Sequence, residues 1–146
     1  MRRVSDATIE RMDQNPTVVG VINSTPDIVD ILRIAIEQAG LVVVSALTFE
    51  IREGAIDLEH FIKQHQPRVI VYDISPPYEA NWQLFLHLAA MPVMEGRHFV
   101  LTSTNARHVE RLAGPQHPIY EIIGKPFDLD QVVQAVKEAT RARPTR

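Results

Sequence analysis

The stretch at residues 68–77, RVIVYDISPP, decides the fold class of this chain. Its apolar part, Val69 to Tyr72, is short and rich in β-branched side chains, which is typical of a buried parallel strand. Asp73 ends this run, and two prolines break the chain soon afterwards. A carboxylate at the mouth of an apolar strand is rigidly held and only partly solvated. Such a position suits a metal ligand, a nucleophile or a phosphate acceptor.

Four further apolar runs predict four more strands, and apolar residues at helical spacing predict a helix after each strand. The last helix is the clearest, with Leu129, Val132, Val133 and Val136 at i, i+3, i+4 and i+7. Five alternating strands and helices predict an α/β fold with a doubly wound, five-stranded parallel sheet and helices on both faces. The predicted strands are 17–22, 41–46, 68–73, 98–102 and 119–123, and the predicted helices begin near residues 25, 55, 81, 105 and 128.

Length and composition indicate one ordinary globular domain. The 146 residues are 45% hydrophobic and 23% charged, with a net charge of -3, so broad binding to nucleic acid or to anionic membranes is not expected. The chain has no cysteine, which excludes disulfides and thiol catalysis, and no apolar run long enough to span a bilayer. We expect a cytoplasmic protein with a polar N-terminal extension at 1–15, a single domain at 16–140 and a basic tail at 141–146.

Four of the predicted strands end in polar residues. Besides Asp73, these are the pairs Asn23-Ser24, Thr102-Ser103 and Lys125-Pro126. In an open α/β sheet, the carboxyl ends of the strands converge on one crevice. The sequence therefore predicts that these side chains meet at a single site.

In these segments the chain resembles the receiver domain of response regulators, the CheY-like family, over about residues 16–140. The resemblance implies a flavodoxin-like sheet with strand order 2-1-3-4-5, and a Lys-Pro peptide bond that is usually cis. It also implies a signalling module without enzymatic activity of its own. The matching segments are 21–28 (VINSTPDI), 69–73 (VIVYD) with Pro77, 100–103 (VLTS) and 124–127 (GKPF).

The resemblance also implies roles for individual residues. Asp73 would accept a phosphoryl group from a histidine kinase or phosphotransfer protein, and Thr102 would hydrogen-bond that group. Lys125 would pair first with the carboxylate and then with the phosphoryl oxygens. The backbone carbonyl of Ser75 would join Asp73 as a magnesium ligand. The fourth predicted helix, the fifth strand and the fifth helix would form the face that binds an effector protein or a second copy of the chain.

The chain departs from the family pattern in three places. Asn23 and Ser24 replace the acidic pair that holds magnesium, so Mg²⁺ binding is possible but weakened. Ile122 stands where the family usually has a tyrosine or phenylalanine that moves with the hydroxyl residue. Asn81 takes the usual position of a glycine.

These departures leave a second interpretation open, a pseudo-receiver that binds a partner protein without phosphoryl transfer. A flavin- or nucleotide-binding domain has little support, because the first strand-to-helix turn, at residues 23–26, lacks glycine.

Two aromatic residues, Tyr78 and Trp82, either mark a partner contact or cover the core. The basic residues Arg107, His108 and Arg111 belong either to the docking face or to a solvated surface.

Overall fold

Five parallel strands form a sheet with the order β2-β1-β3-β4-β5 in the computed structural model, which describes residues 16–115, 119–125 and 128–142. The strands are β1 Val18–Asn23, β2 Val42–Leu47, β3 Val69–Ile74, β4 His98–Ser103 and β5 Ile119–Gly124. The helices are α1 Pro26–Gln38, α2 Thr48–Arg52, α3 Leu58–His65, α4 Tyr78–Ala89, α5 Ala106–Ala113 and α6 Leu129–Arg141, with a 3-10 turn at Pro92–Met94.

The sheet confirms the predicted fold class and strand order. All four strand pairs are parallel, and β3 lies at the centre between β1 and β4. Every residue of β3 and β4 is buried, as the apolar runs predicted. Asp73 therefore stands near the carboxyl end of the central strand of the sheet.

Helices cover both faces of the sheet and divide the core into two layers. On one face, α1 and α6 bury Leu32, Ile36 and Val136 against the strands. On the other face, α3, α4 and α5 bury Ile62, Phe85 and Val109. Trp82 belongs to this second layer, where its ring lies 5.3 Å from that of Phe85, so it covers the core.

The structure corrects the predicted elements at several boundaries. Helix α2 was not predicted, because five residues are too few to show a helical period. Its start is fixed by the backbone N–H of Leu47, which donates to Oε1 of Glu50 at 2.9 Å. Helix α4 begins at Tyr78, three residues before the predicted start, with Pro77 at the N-cap. The first N–H groups of a helix have no partner within the helix, and proline suits this position because it has no N–H. The predicted fourth and fifth helices are therefore α5 and α6.

Several predictions fall on residues outside the described ranges. The extension at 1–15 is one, and most of the basic tail is another. The Lys125–Pro126 bond is a third, whereas the described residues contain a cis bond between Pro76 and Pro77. None of the described helices is long and apolar enough to cross a membrane.

Helix α1 offers a direct test of the core assignment. Leu32 is 1% exposed and Ile34 is 57% exposed on the same helix. We expect Leu32→Ala to lower the free energy of unfolding by about 2–5 kcal/mol, because it removes buried methyl groups and leaves a cavity. Ile34→Ala should change it by about 0.5 kcal/mol or less. Urea denaturation of both variants measures the difference, and equal losses would contradict this packing.

Candidate functional site

Asp73, Thr102 and Lys125 meet at the carboxyl end of the central strands. Asp73 on β3 and Thr102 on β4 are directly paired in the sheet register, and Oγ1 of Thr102 donates to Oδ1 of Asp73 at 2.7 Å. Nζ of Lys125, just after β5, lies 2.6 Å from the same oxygen. The structure therefore brings together the three residues that the sequence predicted to converge.

The carboxylate is held deep in the edge of the sheet. The Asp73 side chain is 2% exposed, whereas that of Lys125 is 23% exposed. Lys125 is fixed by its own backbone N–H, which donates to the carbonyl of Ser103 at 2.7 Å. Both side-chain contacts to Asp73 end on Oδ1, so Oδ2 takes part in neither of them.

The residues around Asp73 offer a magnesium ion few ligands. Magnesium requires near-octahedral oxygen ligands and is usually bound by carboxylates, waters and substrate phosphates. Here Asp73 already pairs with a lysine, and Oδ1 of Asn23 accepts from the backbone N–H of Thr25 at 3.0 Å. The carbonyl of Ser75 accepts from Nδ2 of Asn81 at 2.6 Å. Among the described residues, no three His, Asp or Glu side chains form a metal-binding group.

Asn81 links the loop after β3 to helix α2. While its Nδ2 donates to Ser75, its Oδ1 accepts from Nη2 of Arg52 at 2.9 Å. Only this orientation of the amide satisfies both partners, because guanidinium only donates and a carbonyl only accepts. Sequence reasoning missed Arg52, which lies 29 residues from Asn81. One indication of this contact was present in the sequence, namely Asn81, which stands where the resembled family has a glycine.

A second set of contacts joins the start of α4 to the start of α5, and we call it the α4–α5 clasp. The hydroxyls of Tyr78 and Thr104 are 2.6 Å apart, and Nε2 of His108 is 2.7 Å from Oε1 of Glu79. Nη2 of Arg111 lies 3.3 Å from Nδ1 of His108, which favours the tautomer with the proton on Nε2. Two of the three predicted basic residues are thus engaged within the molecule.

The clasp and the core shift two pKa values. The pKa of Glu79 is lowered, first by a hydrogen bond from its own backbone N–H and then by the bond with His108. Burial raises the pKa of Tyr72 to about 12; nearby Arg52 opposes this rise, and Asp73 adds to it.

Ile122, which stands where the resembled family usually has an aromatic residue, lies on β5. It is half-buried and packs against the core layer beneath α4 and α5. An aliphatic side chain has no polar atom with which to follow the hydroxyl of Thr102. If a signal leaves this site, it leaves through other contacts.

The chain is similar in sequence to an uncharacterized protein. No protein-family model matches the chain. An uncharacterized 14.6 kDa protein in the sodA1 3′ region of Leptolyngbya boryana is 23% identical over 137 residues, which are 94% of this chain and 96% of that protein. The two chains therefore match over nearly their whole lengths.

Comparison with solved structures identifies the fold. A sensor protein from Polaromonas sp. JS666 has a TM-score of 0.68 and 17% identity, covering 86% of this chain and 96% of its own. A response regulator from Thermotoga maritima has a TM-score of 0.64 and 17% identity, with 88% and 100% covered. A CheY-like receiver domain from Methylobacillus flagellatus has a TM-score of 0.63 and 12% identity, with 86% and 99% covered. The chain therefore has the CheY-like fold of response-regulator receiver domains.

Proposed function

We propose that this chain is a receiver-type signalling module of a two-component phosphorelay, in which Asp73 accepts a phosphoryl group from a histidine kinase or phosphotransfer protein. The observation that carries the proposal is the convergence of Asp73, Thr102 and Lys125 on one carboxylate oxygen. The chain acts by docking to protein partners and has no enzymatic activity of its own beyond this transfer.

The transfer uses Oδ2 of Asp73, because the contacts with Lys125 and Thr102 both end on Oδ1. Oδ2 of Asp73 attacks the phosphorus, the P–N bond to the donor histidine breaks, and its electron pair returns to the imidazole, which takes a proton from solvent. The product is an acyl phosphate. Lys125 and the hydroxyl of Thr102 then donate to the phosphoryl oxygens in place of Oδ1.

A second candidate function is a pseudo-receiver that signals without phosphoryl transfer. The observation that favours it is the poor fit of the site to magnesium. Two unit charges about 4 Å apart interact by about 4 kcal/mol at an effective dielectric of about 20. Without a metal ion, Lys125 alone offsets the repulsion between carboxylate and phosphate, and such a loss costs orders of magnitude in rate.

The α4–α5 clasp supplies a route from Asp73 to the docking face. Tyr78 follows the Asp73 loop, and Thr104 follows directly after β4, on which Thr102 stands. A phosphoryl group that draws Thr102 inward would therefore pull on the bond between the hydroxyls of Thr104 and Tyr78. We propose that this coupling replaces the aromatic switch that Ile122 cannot provide.

The proposed docking face lies on α5, β5 and α6. A hollow of about 250 Å³ opens between α5 and β5 and is lined by Glu110, Tyr120, Glu121 and Ile122, among others. It combines acidic groups with an exposed aromatic ring, a composition that suits an effector protein with a basic and apolar surface, or a second copy of the chain.

Phosphoryl acceptance is tested by intact mass after incubation with a small phosphodonor or a phosphorylated phosphotransfer protein, with and without Mg²⁺. We expect a slow gain of one phosphoryl group that Mg²⁺ accelerates only weakly, because Asp73 is the one carboxylate that matches the family's metal site. Asp73→Asn should abolish the gain, and Asp27→Asn, at an exposed aspartate on α1, should not. No gain with either donor would reject phosphoryl acceptance and favour the pseudo-receiver.

The ion pair has a measurable effect on stability. Lys125→Met leaves the buried Asp73 carboxylate with only the Thr102 hydroxyl, and we expect a loss of about 1–3 kcal/mol, since Lys125 is partly exposed. The double variant Asp73→Asn/Lys125→Met removes the unpaired buried carboxylate and should recover part of this loss. Urea denaturation distinguishes the two, and a double variant no more stable than the single one would contradict the pairing.

The Glu79–His108 contact gives the clasp a pH dependence. Because the pKa of Glu79 is lowered in the folded state, first by its backbone hydrogen bond and then by His108, these two bonds favour folding above the ordinary pKa of a glutamate. That contribution is lost as pH falls through the lowered value. Carbon-detected NMR titration should place the Glu79 pKa below its ordinary value. His108→Ala should raise it only partway, because the backbone hydrogen bond remains; an unchanged value would show that the clasp does not form.

A further inference from the structure

A crevice of about 610 Å³ lies beside Asp73, at the carboxyl ends of β1, β2 and β3. Ser24 after β1, Thr48 after β2 and Ser75 after β3 each contribute to its wall. The strand order reverses between β1 and β3, and in open α/β sheets ligands bind at such switch points. Its volume is within the range of about 300–1,000 Å³ that is common for small-molecule sites.

The charged side chain in the lining of the crevice is a cation. Arg52 is its only charged lining residue within the described part of the chain, since Asn23 and Ser24 stand where the family has carboxylates. The guanidinium has five N–H groups; among the described residues it donates one hydrogen bond, to Oδ1 of Asn81, and has no carboxylate partner. Asn81 thus holds Arg52 at the wall and leaves most of its donors available.

The rest of the lining combines hydroxyl donors with apolar surface. Ser24, Thr48 and Ser75 supply hydroxyls that suit an oxyanion, while Pro76, Pro77 and Leu84 supply apolar surface. Phe49 adds an aromatic ring that is 49% exposed, unusually high for such a side chain. A ligand with an anionic head and an apolar body matches both parts of this lining.

We propose that the crevice binds a small organic oxyanion, with a phosphate or carboxylate head paired to Arg52 and an apolar or aromatic body against Phe49 and the prolines. A guanidinium fork pairs with such heads through two parallel hydrogen bonds. The site is separate from phosphoryl transfer at Asp73 and needs no magnesium. A ligand bound in this crevice would regulate the molecule independently of a kinase.

The proposal is tested by titrating the isotope-labelled protein with phenyl phosphate and following amide chemical shifts, with no kinase or phosphodonor present. We expect shifts centred on Ser24, Thr48 and Ser75. Arg52→Gln should weaken binding by about tenfold or more, because it removes a charge-assisted pair. The matched variant Arg68→Gln, at an exposed arginine just before β3 and so at the opposite end of the sheet, should change binding by less than about twofold.

Two further measurements test the anionic head and the apolar body of the ligand separately. Inorganic phosphate should bind at least about tenfold more weakly than phenyl phosphate, and Phe49→Ala should reduce phenyl phosphate to that level. Because Arg52 and Phe49 are exposed, both variants should keep the wild-type spectrum, which checks their folding. Equal weakening by the two arginine variants, or equal binding of the two phosphates, would overturn the proposal. Loss of phosphoryl transfer at Asp73 would leave these results unchanged.

Discussion

The ion pair between Asp73 and Lys125 is the contact on which the carboxyl edge of the sheet depends. Lys125 follows β5, which is two strands away from β3, so its side chain reaches over the end of β4 to meet the carboxylate. Thr102 stands at that end and donates to the same oxygen. A buried carboxylate is tolerated only when it is paired. The positions of three strand ends are therefore coupled by one charge.

The site is uneven along the sheet edge. The residues that we propose to hold a phosphoryl group meet on β3, β4 and after β5, whereas Asn23 and Ser24 stand at the end of β1 where the resembled family has carboxylates. On the β1 side, Asn23 uses its amide oxygen to accept from the N–H of Thr25, and so fixes its own loop. The end of β1 therefore contributes no carboxylate to the site.

The sequence was sufficient for the sheet and for the central carboxylate because both follow from local patterns. Runs of β-branched residues predict the strands, and parallel strands must bring their carboxyl ends together. Arg52 and Thr104 could not be found in this way. Their partners, Asn81 and Tyr78, lie 29 and 26 residues away, and these contacts depend on how the loops pack. The early start of α4 was missed for a related reason, since a double proline indicates a break but not its length.

Asn81 places the two proposed inputs in one physical network. Its amide donates to the carbonyl of Ser75, two residues after Asp73, and accepts from Arg52 in the crevice. A phosphoryl group on Asp73 and an oxyanion on Arg52 would both carry negative charge at the same edge of the sheet, and like charges repel. Occupation of one site should therefore weaken the other, and by linkage the effect is equal in both directions. In the proposed arrangement a bound oxyanion would oppose phosphorylation of Asp73, and phosphorylation would weaken binding of the oxyanion.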